Sequence, residues 1–200
     1  MNETTQDSSR DKILQSAFCE IHKHGFQSAS IADILAQTGL TKGALYHHFP
    51  TKHDLGLAVI GEVIHKRLDA WIFTPLRQSG RPLETLREII RQSMQRTPED
   101  VSLGCPLNNL IQEMSPLNAA FKEQLGAILT DWRRAVEDAL TRSQRQGAIR
   151  SDIDCRASAL FIVSAWEGCI GTAKNLQSAD ILYLCLEQLR SFISSLQSPQ

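Results

Sequence analysis

The sequence predicts an all-α chain of about nine helices, in which a short three-helix head with a helix-turn-helix precedes a longer helical body. Three observations predict it. Apolar residues recur with helical one-face spacing along nearly the whole chain. Alternating β-branched runs bounded by turn residues are missing. The composition is that of an ordinary globular chain, 42% hydrophobic and 22% charged over 200 residues.

Each element has a local signal. Ile13, Leu14, Ala17, Phe18 and Ile21 line one face of a first helix, and Gly25 stops it. Ser30 and Asp33 form a capping-box-like start for a helix over 30–37, with Ile31, Ile34 and Leu35 as its apolar side. Gly39 breaks that helix, and Thr41 caps another over 41–48 that Pro50 ends. Thr51 and Asp54 cap a fourth, expected to reach about residue 73. Pro82 suits the first turn of a helix over 82–96. A loop is expected over 97–104, and Cys105-Pro106 opens the next helix. Ser115-Pro116 restarts a long helix that Gly147 stops. The last two are expected over 153–174 and 178–196.

Composition excludes several classes. The longest apolar runs are only a few residues, too short to span a bilayer. The N-terminus, MNETTQDSSRDK, has no apolar stretch and does not resemble a secretory signal. Five scattered cysteines (19, 105, 155, 169, 185) with no C-x-x-C pair argue against a disulfide framework or zinc site, and point to a reducing cytoplasm. Net charge is −1, so no global field advertises a polyanion partner. The charge is uneven, however. Residues 10–67 hold seven Lys/Arg against five acids, a net of +2, and all six histidines lie in the first 65 residues. A mildly basic head on a neutral body implies two functional parts.

In the head, two short helices joined at Gly39 have helix-turn-helix order. Thr41, Lys42 and Gly43 open the second of them, the end that enters the major groove in such motifs. Tyr46 and His47 offer groups suited to phosphate oxygens, and Lys52 adds a cation nearby. Ser28 and Ser30, with the first amides of the preceding helix, make a second candidate phosphate site. On spacing alone, a DNA reader and a three-helix unit with a solvated polar face both remain open.

The stretch from Ile31 to Leu55, IADILAQTGLTKGALYHHFPTKHDL, resembles the signature of the TetR/AcrR family of bacterial one-component regulators. The combination T-x-G-A-L-Y-x-x-F followed by x-K-x-x-L carries the resemblance, with Gly25-Phe26 upstream. It departs at Pro50-Thr51, where a basic residue is frequent, and at Ser30 in place of Thr. The resemblance implies an all-α homodimer that represses transcription until a small ligand binds its C-terminal domain. It implies DNA contact by Thr41, Lys42, Gly43, Tyr46, His47 and Lys52. The expected organisation is a disordered tail over 1–9, a DNA-binding domain over 10–54, and an effector-binding and dimerisation domain over 55–200. The partners expected are duplex DNA with a pseudopalindromic operator and a second copy of the chain. An unidentified small molecule completes them. The other class left open is a helical module whose head binds protein.

In the body, the penultimate helix carries Phe161 and the small residues Ser164, Ala165, Gly168 and Gly171. The last carries Leu182, Leu186, Leu189 and Ile193 within an apolar arc wider than one neighbour needs. These residues are the expected dimer interface, against internal packing as the alternative. Met94, Phe121, Trp132 and Trp166, with Asn108 and Asn109, are candidate effector-pocket residues. Cys105, just before a helix, is a candidate reactive thiol, since free helix amides favour a thiolate. The segment around Gly104-Cys105 also resembles a subgroup of the family in which some members sense reactive carbonyls or unsaturated acids.

Nothing suggests an enzyme. No glycine-rich phosphate loop, H-E-x-x-H or G-x-S-x-G occurs. His47 and His48 are adjacent on a helix and point about 100° apart, so they do not share a metal easily. No catalytic residue, metal or cofactor is expected.

Overall fold

The computed structural model describes residues 3–199, with side chains from residue 9 onward. The backbone is helical in α1 (Glu3–His24), α2 (Ile31–Ala36) and α3 (Lys42–His48). Residues 52–78 run as one uninterrupted helix, α4, in which Val59–Ile64 and Asp69–Phe73 adopt π-type hydrogen bonding. Then follow α5 (Pro82–Ser93), α6 (Pro98–Leu103), α7 (Pro106–Met114), α8 (Ala119–Arg145), α9 (Cys155–Leu176) and α10 (Ala179–Ser195). The only β pairing among the described residues is an isolated bridge between Ile149 and Gln197.

Three expectations change. Residues 3–9 are not a disordered tail but the first turns of α1; residues 1–2 lie outside the described residues. The expected loop over 97–104 contains α6. Its start is a full capping box: Thr97 Oγ1 accepts from Asp100 N at 3.1 Å, and Asp100 Oδ2 accepts from Thr97 N at 3.1 Å. Pro98 adds a preset first turn. The long helix begins at Ala119 rather than near Ser115, because Asn118 Oδ1 accepts from Phe121 N at 3.1 Å and starts it there.

The chain divides into two compact units. The first runs to Arg67 and also takes Pro106–Ala127; the second holds Leu68–Cys105 and the chain from Ile128. This differs from a boundary at residue 54. The family-like motif ends near Leu55, and no local signal announces that a segment 50 residues further on rejoins the head.

In the first unit, Ile13, Leu14, Ala17, Phe18 and Ile21 of α1 bury against Ile34, Leu35, Leu45, Phe49 and Leu55. Arg10 ties α1 to α4 by donating to both carboxyl oxygens of Glu62 at 2.7 and 2.6 Å. Those hydrogen bonds hold the Glu62 carboxyl below its ordinary pKa. In the second unit, α9 and α10 pack on each other and both meet α6, while α10 also packs on α5. Trp132 and Trp166 are fully buried there, with ring centroids 5.3 Å apart, and Trp71 lies 6.1 Å from Trp166.

Candidate nucleic-acid interface

Local chemistry positions α3. Thr41 adopts extended backbone and its hydroxyl accepts from Ala44 N at 3.2 Å, which starts the helix. Leu45 is fully buried and anchors one side. Thr41, Lys42, Gly43, Tyr46 and His47 are all exposed on the other. Tyr46 is 46% exposed, unusual for an aromatic side chain in so small a unit. A Cβ at Gly43 would meet only Thr41 Oγ1, at 3.7 Å, so the packing of this unit does not require a glycine there. The open surface that it leaves suits close approach of a phosphate backbone.

The second candidate phosphate site is built differently from the expectation. Ser30 Oγ accepts from Asp33 N at 3.1 Å and donates to Asp33 Oδ2 at 2.5 Å. Its hydroxyl is thus committed to capping α2, with a carboxylate in the same turn. Ser28 is exposed.

Lys52 is engaged in structure. Its Nζ donates to Gln27 O at 3.1 Å and lies 4.9 Å from the Phe26 ring centroid. Burial lowers its pKa, and the nearby Glu113 carboxylate counters that effect. It therefore steadies the turn before α2 as well as adding positive charge.

The same turn reveals a residue that sequence reasoning missed. Glu113, from α7, accepts from Phe26 N and Gln27 N at 2.8 Å each, one bond per carboxyl oxygen. Gly25, at φ +84°, brings the backbone this close; a Cβ there would sit 3.0 Å from Glu113 Oε2. The partners are 86 and 87 residues apart, so no local pattern points to them. Phe121 closes the arrangement from α8, 4.7 Å from the Phe26 ring and 5.3 Å from that of His53. Replacing Glu113 by Ala leaves two amides without their charged acceptor, a loss of about 1–3 kcal/mol. The expected result is a lower melting temperature and weaker DNA binding, with the salt dependence of binding unchanged because Glu113 touches no phosphate. A shallower salt slope in a DNA titration of E113A contradicts this positioning role.

The seven pocket candidates do not gather in one unit. Met94, Cys105, Trp132 and Trp166 lie in the second; Asn108, Asn109 and Phe121 lie in the first. Cys105 is 4% exposed. Ser93 Oγ, Trp132 Nε1, Trp166 Nε1 and both Glu167 carboxyl oxygens are buried with no nitrogen or oxygen partner among the described residues.

The expected dimer face also separates. Phe161, Ser164, Gly168 and Gly171 are exposed along α9 and Ala165 is half-buried. Leu182, Leu186, Leu189 and Ile193 are buried inside the second unit, so they are protomer core, not interface. The wide apolar arc of α10 has two sides. Its outer one is Tyr183 and Leu184, which with Leu160 and Phe161 are each more than half exposed. Phe161 and Phe192 stack edge-on with centroids 4.7 Å apart. No helix among the described residues is long and apolar enough to cross a membrane, and no His/Cys/Asp/Glu group suited to a metal ion occurs among them.

Comparison with known proteins bears on both units. Residues 13–59 match the family profile of bacterial regulatory proteins, tetR family, and residues 82–189 match the tetracyclin repressor-like C-terminal domain. The transcriptional regulator AcuR of Cereibacter sphaeroides is 30% identical over 165 residues, covering 81% of this chain and 74% of that protein. The transcriptional repressor DhaR of Mycobacterium sp. (strain GP1) is 26% identical over 149 residues, covering 74% and 73%. Among solved structures, the regulatory protein TetR from Rhodobacter sphaeroides superposes with a TM-score of 0.81 at 26% identity, over 92% of this chain and 97% of that one.

Proposed function

Because the chain belongs to the TetR family of DNA-binding transcriptional regulators and is not an enzyme, we propose that it is a homodimeric repressor released from a pseudopalindromic operator by an effector bound in its second unit. The exposed face of α3 carries the DNA reading: Lys42, Tyr46 and His47 stand outward while Leu45 pins the helix from behind. Two such helices, about 34 Å apart in a dimer, fit successive major grooves. The exposed apolar residues Leu160, Phe161, Tyr183 and Leu184 support a second copy of the chain as the partner that covers them. Ser28, Ser30 and Lys52 serve at the edge of the interface, with Ser30 and Lys52 acting mainly through the turn they hold. The protein acts in the bacterial cytoplasm, where duplex DNA is its target.

Effector binding is supported by the polar groups of the second unit that lack partners. Buried polar atoms cost free energy unless satisfied, and a polar ligand is one way to satisfy them. The effector is a small molecule, held noncovalently or as an electrophile that adds to Cys105. It shifts the dimer by binding the released state more tightly than the DNA-bound one. The shift passes through α4, which supplies residues to both units.

Selection from random duplex DNA tests this reading. The expected product is an enriched two-fold motif. K42A is expected to weaken binding to it and to reduce the slope of log K against log salt by about 1. A pool without enrichment, or binding indifferent to Lys42 and Tyr46, favours the head as a protein-binding module instead.

A further inference from the structure

The cysteines are scattered along the sequence, but the fold brings two of them together. Helices α9 and α10 are joined by a tight turn in which Gln177 has φ +50° and Ser178 N donates to Ala173 O at 3.1 Å. The Ser178 hydroxyl then accepts from Ile181 N at 3.3 Å and starts α10. The two helices therefore run back along each other, and they pack directly. The rings of Phe161 and Phe192, with centroids 4.7 Å apart, fix which residues face across the seam. Two turns nearer the connection, eight residues on from Phe161 and seven back from Phe192, stand Cys169 and Cys185. Their depth matches as well. In each helix the residue before the cysteine is exposed (Gly168, Leu184) and the residue after it is buried (Ile170, Leu186). Both thiols are thus half-buried at the rim of the seam, and they hydrogen-bond to each other.

We propose that Cys169 and Cys185 form a reversible dithiol that a low-molecular-weight disulfide oxidises to an intrachain disulfide, stapling α9 to α10. Cys185 Sγ attacks one sulfur of the reagent, which forms a mixed disulfide and releases one reagent thiolate that takes up the Cys185 proton. Cys169 Sγ then attacks the Cys185 sulfur, and the second reagent thiol leaves with the Cys169 proton. Two S–H bonds of the protein become one S–S bond, and the S–S bond of the reagent becomes two S–H bonds. Two electrons pass from the protein to the reagent. A reducing cytoplasm holds such a pair as thiols, and an oxidising episode closes it.

The setting decides the order of attack. Burial, with the charge and the hydrogen bond of Cys185, pushes the Cys169 pKa up to about 12. Cys169 is therefore a poor first nucleophile toward a reagent in solution. A mixed disulfide already on Cys185 is held beside it, and that proximity offsets the handicap. Tyr183 and Leu184, next to Cys185 on α10, are exposed apolar residues, so closing the staple stiffens the surface that presents them.

The test treats the full-length chain with oxidised glutathione, quenches with iodoacetamide and maps each cysteine by mass spectrometry, with exposed Cys19 as the reference for reagent. The wild type is expected to yield a linked Cys169–Cys185 peptide that dithiothreitol reverses. In an equal mixture of unlabelled and isotope-labelled protein, the link is expected within single chains. C169S is expected to accumulate a glutathione adduct on Cys185, and C185S to modify Cys169 about 100-fold more slowly than Cys19. Oxidised wild type is expected to melt about 5–10 °C above the reduced form, because closing a loop of this size restricts the unfolded chain. Cys169 and Cys185 that both stay open to alkylation once Cys19 is fully glutathionylated overturn the proposal. So does a link found only between chains, or one that lowers the melting temperature, since the two thiols are then not neighbours in the folded protomer.

Discussion

Gly56→Leu is expected to destabilise the first unit and to weaken DNA binding. Gly56 lies on α4 under two aromatic rings. A Cβ there would come within 2.5 Å of Phe26 Cε2 and 2.7 Å of Phe121 Cζ, closer than carbon atoms approach. Phe121 is fully buried and Phe26 is held by the Glu113 and Lys52 contacts to its turn, so neither ring yields cheaply. Overpacking of this kind costs about 1–3 kcal/mol and sometimes more. Replacing a helical glycine returns at most about 1 kcal/mol of propensity. The displaced segment is the one leading into α2, so the recognition helix loses its support. Thermal melting followed by circular dichroism, with DNA titration of whatever remains folded, checks this. Near-wild-type melting and affinity for Gly56→Leu would show that the rings can move aside.

Glu167→Gln is expected to stabilise the protein at alkaline pH and not at acidic pH. Burial raises the folded-state pKa of this carboxyl from 4.5 to about 7. Below about pH 4.5 the group is protonated in both folded and unfolded chains, and its ionisation costs the fold nothing. Between about pH 4.5 and 7 the unfolded chain ionises while the folded chain still holds its proton, so the wild type loses stability over that window. Above about pH 7 both states are ionised and the loss levels off at about 3 kcal/mol. The amide carries no charge and avoids the loss. Denaturant unfolding of both proteins at pH 5 and pH 8 measures it. Parallel pH curves for the two would falsify the unpaired-acid assignment.

The sequence by itself determined whatever depends on neighbours within a turn or two. The caps at Ser30, Thr41 and Thr51 were readable because each cap and its partner lie three residues apart. The exposed run of α3 followed from Leu45 being the apolar position among polar ones. Even the missed α6 had its signal in Thr97-Pro98 and Asp100. Tertiary structure decided everything that joins distant segments. Periodicity showed that α10 is apolar over a wide arc but not which side turns inward; packing against α5, α6 and α9 buries Leu182, Leu186, Leu189 and Ile193 and leaves Tyr183 and Leu184 outside. The return of residues 106–127 to the head and the Glu113 clasp on the Gly25 turn each join segments far apart along the chain. Such contacts are selected by the shape of the whole core, because a carboxylate or a ring finds its partner only where the backbone happens to bring one, and nothing in the local residue pattern encodes that place.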